Sequence, residues 1–437
     1  MKQTFLVLVI VASLISCKES NKTNENQLQP TTNSKEKINE YFSALSNLGK
    51  FNGVIYVTEN NKEIISKAYN LNPNQESTTY VTTESQFDIH SVSKLMASYL
   101  IEKFELEGKV KKTQTINDFI SDFPNGNKIT IDMLLNHTSG LPRSIDDIEG
   151  DEIGLTSTQI IEYAKKQNLL FEPGTDTQYS NVGYQIIYYI IADISKKSFA
   201  QCLTDELFKP LEMESSGAHF YTEKNNIKNL AKNHEKKDKL IVQVDNILND
   251  ETKTARIFST ANDLNKFLNH IKKEPYSSLL KDNDNVIEKN GGSDGIRVQI
   301  YTNLDYNYNF VLLTNYEEIP FQRTIGDFTK ILEDKRYEIP KELNRKSIDL
   351  PTDKMKTYVG TYFFADMNNL ELTFKVENDN FVVFQDGELI ATLKAETKNI
   401  FYDDPKEPES FEFINSENGN FDVLMGWKGI KLKGVKK

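Results

Sequence analysis

The chain has 437 residues, of which 38% are hydrophobic and 11% aromatic, so it is too apolar to be disordered, and its length favours about two or three folded units. With 52 Lys and Arg against 64 Asp and Glu, its net charge of −12 argues against nucleic acid as a partner. Two cysteines, Cys17 and Cys202, exclude a disulfide framework, and the five histidines show no metal-ligand spacing, so we expect no cofactor.

The N-terminus has the pattern of a signal peptide. Lys2 precedes an apolar run over 5–11, which is shorter than a membrane span and ends at small residues. A short buried helix is the alternative interpretation. We therefore predict a signal peptide at residues 1–16.

Leu14-Ile15-Ser16-Cys17 resembles a bacterial lipobox, which implies cleavage before Cys17 and attachment of lipid to its thiol. Residues 17–36 are polar and predict a flexible tether. We therefore expect a lipid anchor in the cell envelope, at the outer membrane or the periplasmic face of the inner membrane. Cys202 is expected to be a small core residue.

The folded part begins with strands, continues with helices and returns to strands. This order predicts an α+β domain over residues 37–340. The predicted elements are a hairpin at 51–57 and 63–69, helices at 91–106, 157–168, 183–197 and 261–272, and paired strands at 297–300 and 309–313.

The composition changes near residue 340, where a charged, proline-bounded stretch predicts a linker. Residues 350–437 then show short alternating runs separated by turn residues such as Asp386-Gly387 and Asn418-Gly419. This pattern predicts a small all-β, barrel-like domain. The sequence carries no signal for an oligomeric state.

The first candidate for chemistry is Ser91 with Lys94 at the start of the predicted helix. A hydroxyl and an amine three residues apart lie on one helix face, where the amine can take the serine proton. The same spacing occurs at Ser34 and Ser278, so the pattern alone is weak. Of the three, only Ser91 begins an amphipathic helix.

Tyr179 and Asn181 form a second candidate, between Pro173-Gly174 and the next predicted helix. A tyrosinate can act as a general base, and an asparagine can hold a substrate amide. Tyr301 stands in a similar triplet, so this motif is also weak. The alternative for Tyr179 is a half-buried aromatic residue whose hydroxyl is satisfied by a neighbour.

The third candidate is Lys289 with Gly291. No other glycine of the 20 has a lysine two positions earlier. A cation on a strand beside the nucleophile fixes an anionic substrate group, and glycine lets the substrate approach the backbone. The alternative for Lys289 is a solvated strand residue.

The three motifs in this order resemble the serine β-lactamase and penicillin-binding protein superfamily, in its class C and esterase-like branch. The similarity spans about residues 40–335. Further stretches that carry it are Phe87-Asp88-Ile89-His90, Leu134 to Pro142, Phe171-Glu172-Pro173-Gly174, Pro210-Leu211-Glu212-Met213, Ser259 to Leu264, and Gly291 to Gly295. The resemblance implies an antiparallel sheet flanked by helices, with a helical lobe.

The resemblance also implies a role for each matching residue. Ser91 is the acylated nucleophile, Lys94 its proton partner and Tyr179 the general base. Asn181 and Lys289, with Gly291, bind substrate. The backbone N–H groups of Ser91 and Gly292 form the oxyanion hole.

The match has departures. His90 stands where relatives often carry a small residue, and it either tunes access to the nucleophile or simply packs. Lys289 stands where many relatives of this branch carry histidine. The C-terminal module, around Tyr358 to Tyr362, resembles small lipocalin-like domains attached to several members of the branch.

The leading hypothesis is therefore an envelope-anchored serine hydrolase that forms an acyl-enzyme with peptide, ester or amide substrates. The activity we expect is that of a D-amino-acid peptidase or of an esterase. The alternatives are a β-lactamase, and a non-catalytic receptor that binds peptide or peptidoglycan in the same cleft.

Overall fold

The computed structural model describes residues 32–144, 157–219, 227–237, 240–244, 256–365, 370–416, 419–427 and 430–437. The predicted signal peptide and Cys17 lie outside these residues. The helices are α1 (Thr32–Asn47), α2 (Val92–Leu106), α3 (Ile131–Leu135), α4 (Ser157–Ala164), α5 (Asn181–Ser195), α6 (Phe199–Leu203), α7 (Ala261–Ile271), α8 (Tyr276–Leu280), α9 (Phe321–Leu332) and α10 (Thr352–Met355).

The strands fall into a larger N-terminal group and a C-terminal barrel. The first group comprises β1 (Gly53–Glu59), β2 (Lys62–Tyr69), β3 (Phe87–Asp88), β4 (Gly217–His219), β5 (His234–Lys237), β6 (Leu240–Gln243), β7 (Arg256–Ser259), β8 (Val286–Ser293), β9 (Ile296–Asn303) and β10 (Tyr308–Thr314). The barrel comprises β11 (Gly360–Phe364), β12 (Leu370–Glu377), β13 (Asn380–Gln385), β14 (Glu388–Ala395), β15 (Ile400–Tyr402), β16 (Ser410–Asn415), β17 (Phe421–Trp427) and β18 (Ile430–Lys436).

A five-stranded antiparallel sheet in the order β2-β1-β10-β9-β8 forms the centre of the first group. Because side chains alternate across a strand, β1 and β10 supply two cores at once. Val54 and Leu313 face the core with α2 and α7, whereas Ile55 and Leu312 face α1 and α9. Burial on both faces explains the nearly continuous apolar sequence of these strands.

The predicted hairpin is present, since β1 and β2 pair across Asn60 and Asn61. Both asparagines have positive φ angles, 51° and 62°, a conformation that asparagine tolerates better than most residues. The helices predicted at 91–106, 157–168, 183–197 and 261–272 correspond to α2, α4, α5 and α7.

The chain between β2 and β8 makes one long excursion that contains α2 to α8. This part of the chain also contains a small antiparallel sheet, with its strands in the order β3-β7-β4. The Ile89 N–H donates to the Ile257 carbonyl over 3.0 Å, which extends the β3–β7 pairing to the residue before the α2 turn. This sheet therefore fixes the entry into α2.

The C-terminal strands close into an eight-stranded antiparallel barrel, in which β11 pairs with β18. Its interior is filled by aromatic side chains, among them Tyr362, Phe374 and Phe401, each fully buried. The predicted α+β class with a barrel-like C-terminal domain is confirmed.

The described residues include Cys202 and the last part of the segment predicted as a tether. Helix α1 begins at Thr32, within the segment predicted as a tether over 17–36. Within the described part of the chain, no helix is both long and apolar enough to cross a membrane. Cys202 is a buried free thiol, as expected for a small core residue.

Candidate active site

Ser91 immediately precedes the first turn of α2. A serine at this position usually accepts a hydrogen bond from the backbone of the first turn, but Ser91 makes no such side-chain bond. Its Oγ lies instead 2.9 Å from the Tyr179 hydroxyl and accepts from the Lys94 Nζ over 3.2 Å. The hydroxyl is therefore aimed at two groups that can exchange its proton.

Lys94 lies one turn into α2 and is 7% exposed. Its Nζ is 5.2 Å from the ring centroid of Tyr179 and 5.6 Å from that of Tyr184. The faces of aromatic rings attract cations, so both rings help to hold the Lys94 Nζ in place. The amine is thereby fixed against Ser91.

Tyr179 is positioned by the start of α5. The Ser180 hydroxyl caps this helix by accepting from the Gly183 N–H over 2.9 Å, and it donates to the Pro142 carbonyl over 2.7 Å. The N–H of Asn181, the first residue of α5, donates to the Arg143 carbonyl over 3.0 Å. The cap and the 142–143 backbone together hold Tyr179 in place.

The His137 ring packs against the Tyr179 ring. Their ring centroids are 4.5 Å apart, and the Ser180 N–H donates to His137 Nδ1 over 3.1 Å. Because Nδ1 accepts, the neutral ring carries its proton on Nε2. Burial, followed by the charges of Lys289 and Lys94, lowers the pKa of His137 to about 4.

This pKa predicts how the stability of the fold depends on pH. From its ordinary value of 6.5 the pKa of His137 falls to about 4 on folding. Between these values the unfolded chain binds a proton that the folded chain does not, so the free energy of unfolding falls as the pH falls. A His137→Asn variant lacks this contribution, and asparagine tolerates the φ of 60° found there.

We therefore compare the free energy of unfolding of the wild type with that of His137→Asn. The wild-type value minus the variant value should be constant above neutral pH. It should then shift in favour of the variant between about pH 6.5 and pH 4. Urea unfolding across this range measures the difference. A difference that does not change with pH would contradict a neutral, buried His137.

Strand β8 brings Lys289, Gly291 and Gly292 to the other side of Ser91. The Lys289 Nζ lies 6.0 Å from the Tyr179 ring centroid, and burial lowers the pKa of this lysine. A Cβ atom on Gly291 would lie 2.4 Å from the Ile89 carbonyl oxygen and 2.9 Å from the Ser91 nitrogen. Only glycine lets β8 lie this close to the nucleophile turn.

The structure brings together the side chains of Ser91, Lys94, Tyr179 and Lys289, with the backbone of Gly291. The other two Ser/Lys spacings do not form such pairs. Ser278 donates to Glu274 Oε1 over 2.6 Å, whereas Lys281 donates to Asn285. In the third spacing, Ser34 with Lys37, the Lys37 Nζ forms an ion pair with Asp334 at 2.7 Å.

Tyr301 lies away from the site. It stacks on Phe310 at a centroid distance of 4.8 Å and packs against the core shared with α1 and α9. The similar triplet is therefore part of β9, and the Tyr301 ring lies on the sheet face that α1 and α9 cover.

Two arginines in the site were missed by sequence reasoning. The Arg143 guanidinium lies 5.3 Å from the Tyr179 ring centroid, and that of Arg256 contacts His90. Arg143 directly follows the family-like segment that ends at Pro142, and Arg256 opens β7. Neither position carries a local pattern that marks it as functional. In the described residues, no cluster of His, Cys, Asp and Glu suited to a metal ion is found.

Residues 38–315 match a family model described as Beta-lactamase. Penicillin-binding protein 4* of Bacillus subtilis (strain 168) is 22% identical over 420 residues, covering 85% of this chain and 92% of that protein. Protein flp of Staphylococcus aureus (strain MW2) is 26% identical over 168 residues, covering 37% of this chain and 33% of flp. The chain spans only 50%, 33% and 41% of the length of the first three curated relatives.

Solved structures show the same fold at low identity. The octameric penicillin-binding protein homologue from Pyrococcus abyssi has a TM-score of 0.58 at 16% identity, covering 92% of this chain and 99% of that chain. A class C beta lactamase has a TM-score of 0.57 at 19% identity, covering 69% of this chain and 98% of that chain. Since the family model matches more than half of the 437 residues, the chain belongs to the Beta-lactamase family.

Proposed function

We propose that this protein is a serine hydrolase that acts through an acyl-enzyme on peptide, ester or amide substrates. The observation that carries the proposal is the contact of the Ser91 Oγ with both the Tyr179 hydroxyl, at 2.9 Å, and the Lys94 Nζ, at 3.2 Å. A serine hydroxyl is a weak nucleophile unless a neighbouring base takes its proton. The geometry supplies two candidates for that base.

The proposed reaction has two halves. The Ser91 Oγ bonds to the substrate carbonyl carbon while its proton passes to the Tyr179 oxygen, which must first have released its own proton to Lys94. The bond to the leaving amine or alcohol then breaks, and the leaving group takes that proton. Water repeats the sequence on the acyl-enzyme, which releases the acid and restores the Ser91 hydroxyl.

The charges around the site favour particular substrates. Lys94, Lys289 and Arg143 all lie within 6.0 Å of the Tyr179 ring centroid. Such positive potential attracts a substrate carboxylate. We therefore place peptides with a free carboxylate, of the D-amino-acid type, and carboxylate-bearing esters ahead of neutral substrates.

A fluorophosphonate probe tests the proposal. We expect covalent labelling of the native protein, mapped by mass spectrometry to the peptide that contains Ser91, and no labelling after heat denaturation. Native protein that does not label, or a label on another serine, contradicts the proposal. Binding of a peptidoglycan peptide without turnover of any ester, amide or β-lactam would favour a receptor instead.

A hydrolysis screen then identifies the substrate class. It compares a D-Ala-D-Ala peptide, p-nitrophenyl esters and nitrocefin, with each rate measured against the uncatalysed reaction. We expect the peptide or the esters to be turned over best. Nitrocefin as the only good substrate would show a β-lactamase.

We also propose that Cys17 carries a lipid that attaches the protein to the cell envelope. The support is the lipobox-like sequence Leu14-Ile15-Ser16-Cys17. In a bacterial host fed an alkyne fatty acid, the wild-type chain should incorporate the label and a Cys17→Ser chain should not. Cys202→Ser is the matched control, because Cys202 is buried. Equal incorporation into wild type and Cys17→Ser excludes this anchor.

A further inference from the structure

His90, the residue before the nucleophile, is joined to two other segments of the site. The Arg256 Nη2 lies 2.7 Å from its Nδ1 and 3.1 Å from its Nε2, and the Ser293 Oγ lies 3.4 Å from Nε2. The backbone of His90 has a φ of 45°, in the left-handed region that residues other than glycine seldom adopt. A strained backbone and a tethered ring thus occur together beside Ser91.

The contacts and the burial of the ring limit its charge state. A guanidinium group can only donate, so a nitrogen of the His90 ring accepts from Arg256. Nε2 also faces the Ser293 hydroxyl. Burial, with the charge of Arg256 second, lowers the pKa of His90 to about 3. His90 is therefore neutral at any pH near neutrality.

The two tethered segments carry the backbone N–H groups of Ser91 and Gly292, which the resemblance assigns to the oxyanion hole. His90 directly precedes Ser91 in the chain, and Ser293 directly follows Gly292. At Gly291 the two backbones already lie close together, since a Cβ there would lie 2.4 Å from the Ile89 carbonyl oxygen and 2.9 Å from the Ser91 nitrogen. The imidazole is thus a second connection between the α2 turn and the end of β8.

We propose that His90, oriented by Arg256, is a positioning residue that sets the separation between the backbone N–H groups of Ser91 and Gly292. The inference rests on the proposed function, because these two groups have a task only if Ser91 is acylated. Arg256 acts through His90, and its own place is fixed because the next residue, Ile257, accepts the Ile89 N–H. One ring thereby ties α2, β7 and β8 to a common geometry.

The separation of the two N–H groups matters because oxyanion stabilisation depends steeply on the positions of both donors. Donors that stabilise a tetrahedral oxyanion act only at hydrogen-bond distance, and losing one lowers turnover by about 10²- to 10³-fold. A displacement of about 1 Å is enough for a loss of similar order. Removing the ring frees the β8 end to shift without removing either N–H group.

The test compares His90→Gly with His90→Asn. Glycine accepts a φ of 45° without strain, so this variant deletes the ring while relieving the backbone. Asparagine tolerates the same φ and keeps a carbonyl oxygen for Arg256. The readouts are the melting temperature, the rate of fluorophosphonate labelling, and protection from labelling by phenylboronic acid, which forms a tetrahedral serine adduct.

We expect His90→Gly to melt at or above the wild-type temperature and to label about 10- to 100-fold more slowly, with weaker boronate protection. For the best ester, kcat should fall while KM stays unchanged, and His90→Asn should recover most of the rate. His270→Ala is the matched control, since His270 is a half-buried imidazole that contacts Tyr99 over 3.1 Å. It should label at the wild-type rate.

The double variant His90→Gly with Arg256→Met tests the coupling. If Arg256 acts through the ring, its replacement adds little to the loss in His90→Gly. Fully additive losses overturn the role given to Arg256. A wild-type labelling rate in His90→Gly, or a rate that falls only together with the melting temperature, overturns the inference alone. Wild-type protein that does not label removes the proposed function as well.

Discussion

A Ser91→Ala variant is expected to lose turnover of the best substrate by on the order of 10⁴- to 10⁶-fold, the range in which removal of a catalytic nucleophile falls. The remaining rate would come from binding and from the backbone N–H groups. The fold should be unaffected, because the Ser91 side chain does not cap α2. Steady-state kinetics on the best substrate of the hydrolysis screen, with the melting temperature alongside, measures both expectations.

Ser278→Ala is the matched control for this variant. Ser278 has a lysine at the same spacing, but its hydroxyl donates to Glu274 and that lysine, Lys281, donates to Asn285. It should retain the wild-type rate. A Ser91→Ala protein that still turns over substrate near the wild-type rate would place the nucleophile elsewhere.

A Lys94→Met variant is expected to lower the rate of acylation by about 10²- to 10⁴-fold, the usual contribution of a positioned proton-transfer group. Methionine keeps the length and apolar stem of the side chain, so it fills the same buried space. It lacks the ammonium that contacts Ser91 and lies 5.2 Å from the Tyr179 ring centroid. The rate of fluorophosphonate labelling isolates this acylation step.

Lys272→Met controls for the loss of another partly buried lysine. Burial lowers the pKa of Lys272 to about 8, and its Nζ donates to Asn307 over 3.2 Å, so it resembles Lys94 in environment but not in partners. Its variant should label at the wild-type rate. If Lys94→Met labels as fast as the control, then Lys94 takes no part in activating Ser91.

The elements that carry the site were predictable because their signals are local. The helical spacing that begins at Ser91 predicted α2, and alternation predicted the β9–β10 pair. The order of the three motifs, interpreted through a family resemblance, named Ser91, Lys94 and Tyr179 together. Spacing alone named three serines equally, and only the folded chain shows that one of them meets a lysine.

The contacts that organise the site were not predictable in the same way. His90 and Arg256 are 166 positions apart, and each is a single polar residue in an ordinary local context. The Arg143 guanidinium lies beside the Tyr179 ring, in a segment whose Arg143 carbonyl accepts from the Asn181 N–H. Periodicity reports which face of an element is buried. It does not report which two polar side chains a tertiary fold brings together.

The C-terminal domain illustrates the same limit at the level of strands. The short alternating runs of residues 350–437 predicted a barrel-like domain, but they did not predict all eight of its strands. Among those missed, β15 has only three residues, Ile400–Tyr402, too few for a period of two to be visible. Short strands of this kind become stable only through their partners in the closed barrel.

The pairing of β18 with β11 also constrains how the barrel forms during synthesis. Tyr362 and Lys436 are partners in the register, so the contact that closes the ring joins residues more than seventy positions apart. Closure must wait until Ile430–Lys436 has left the ribosome, and until then β11 and β17 are open edges able to pair with another chain. A chain that stops before Ile430 would keep those edges permanently and would be prone to aggregate.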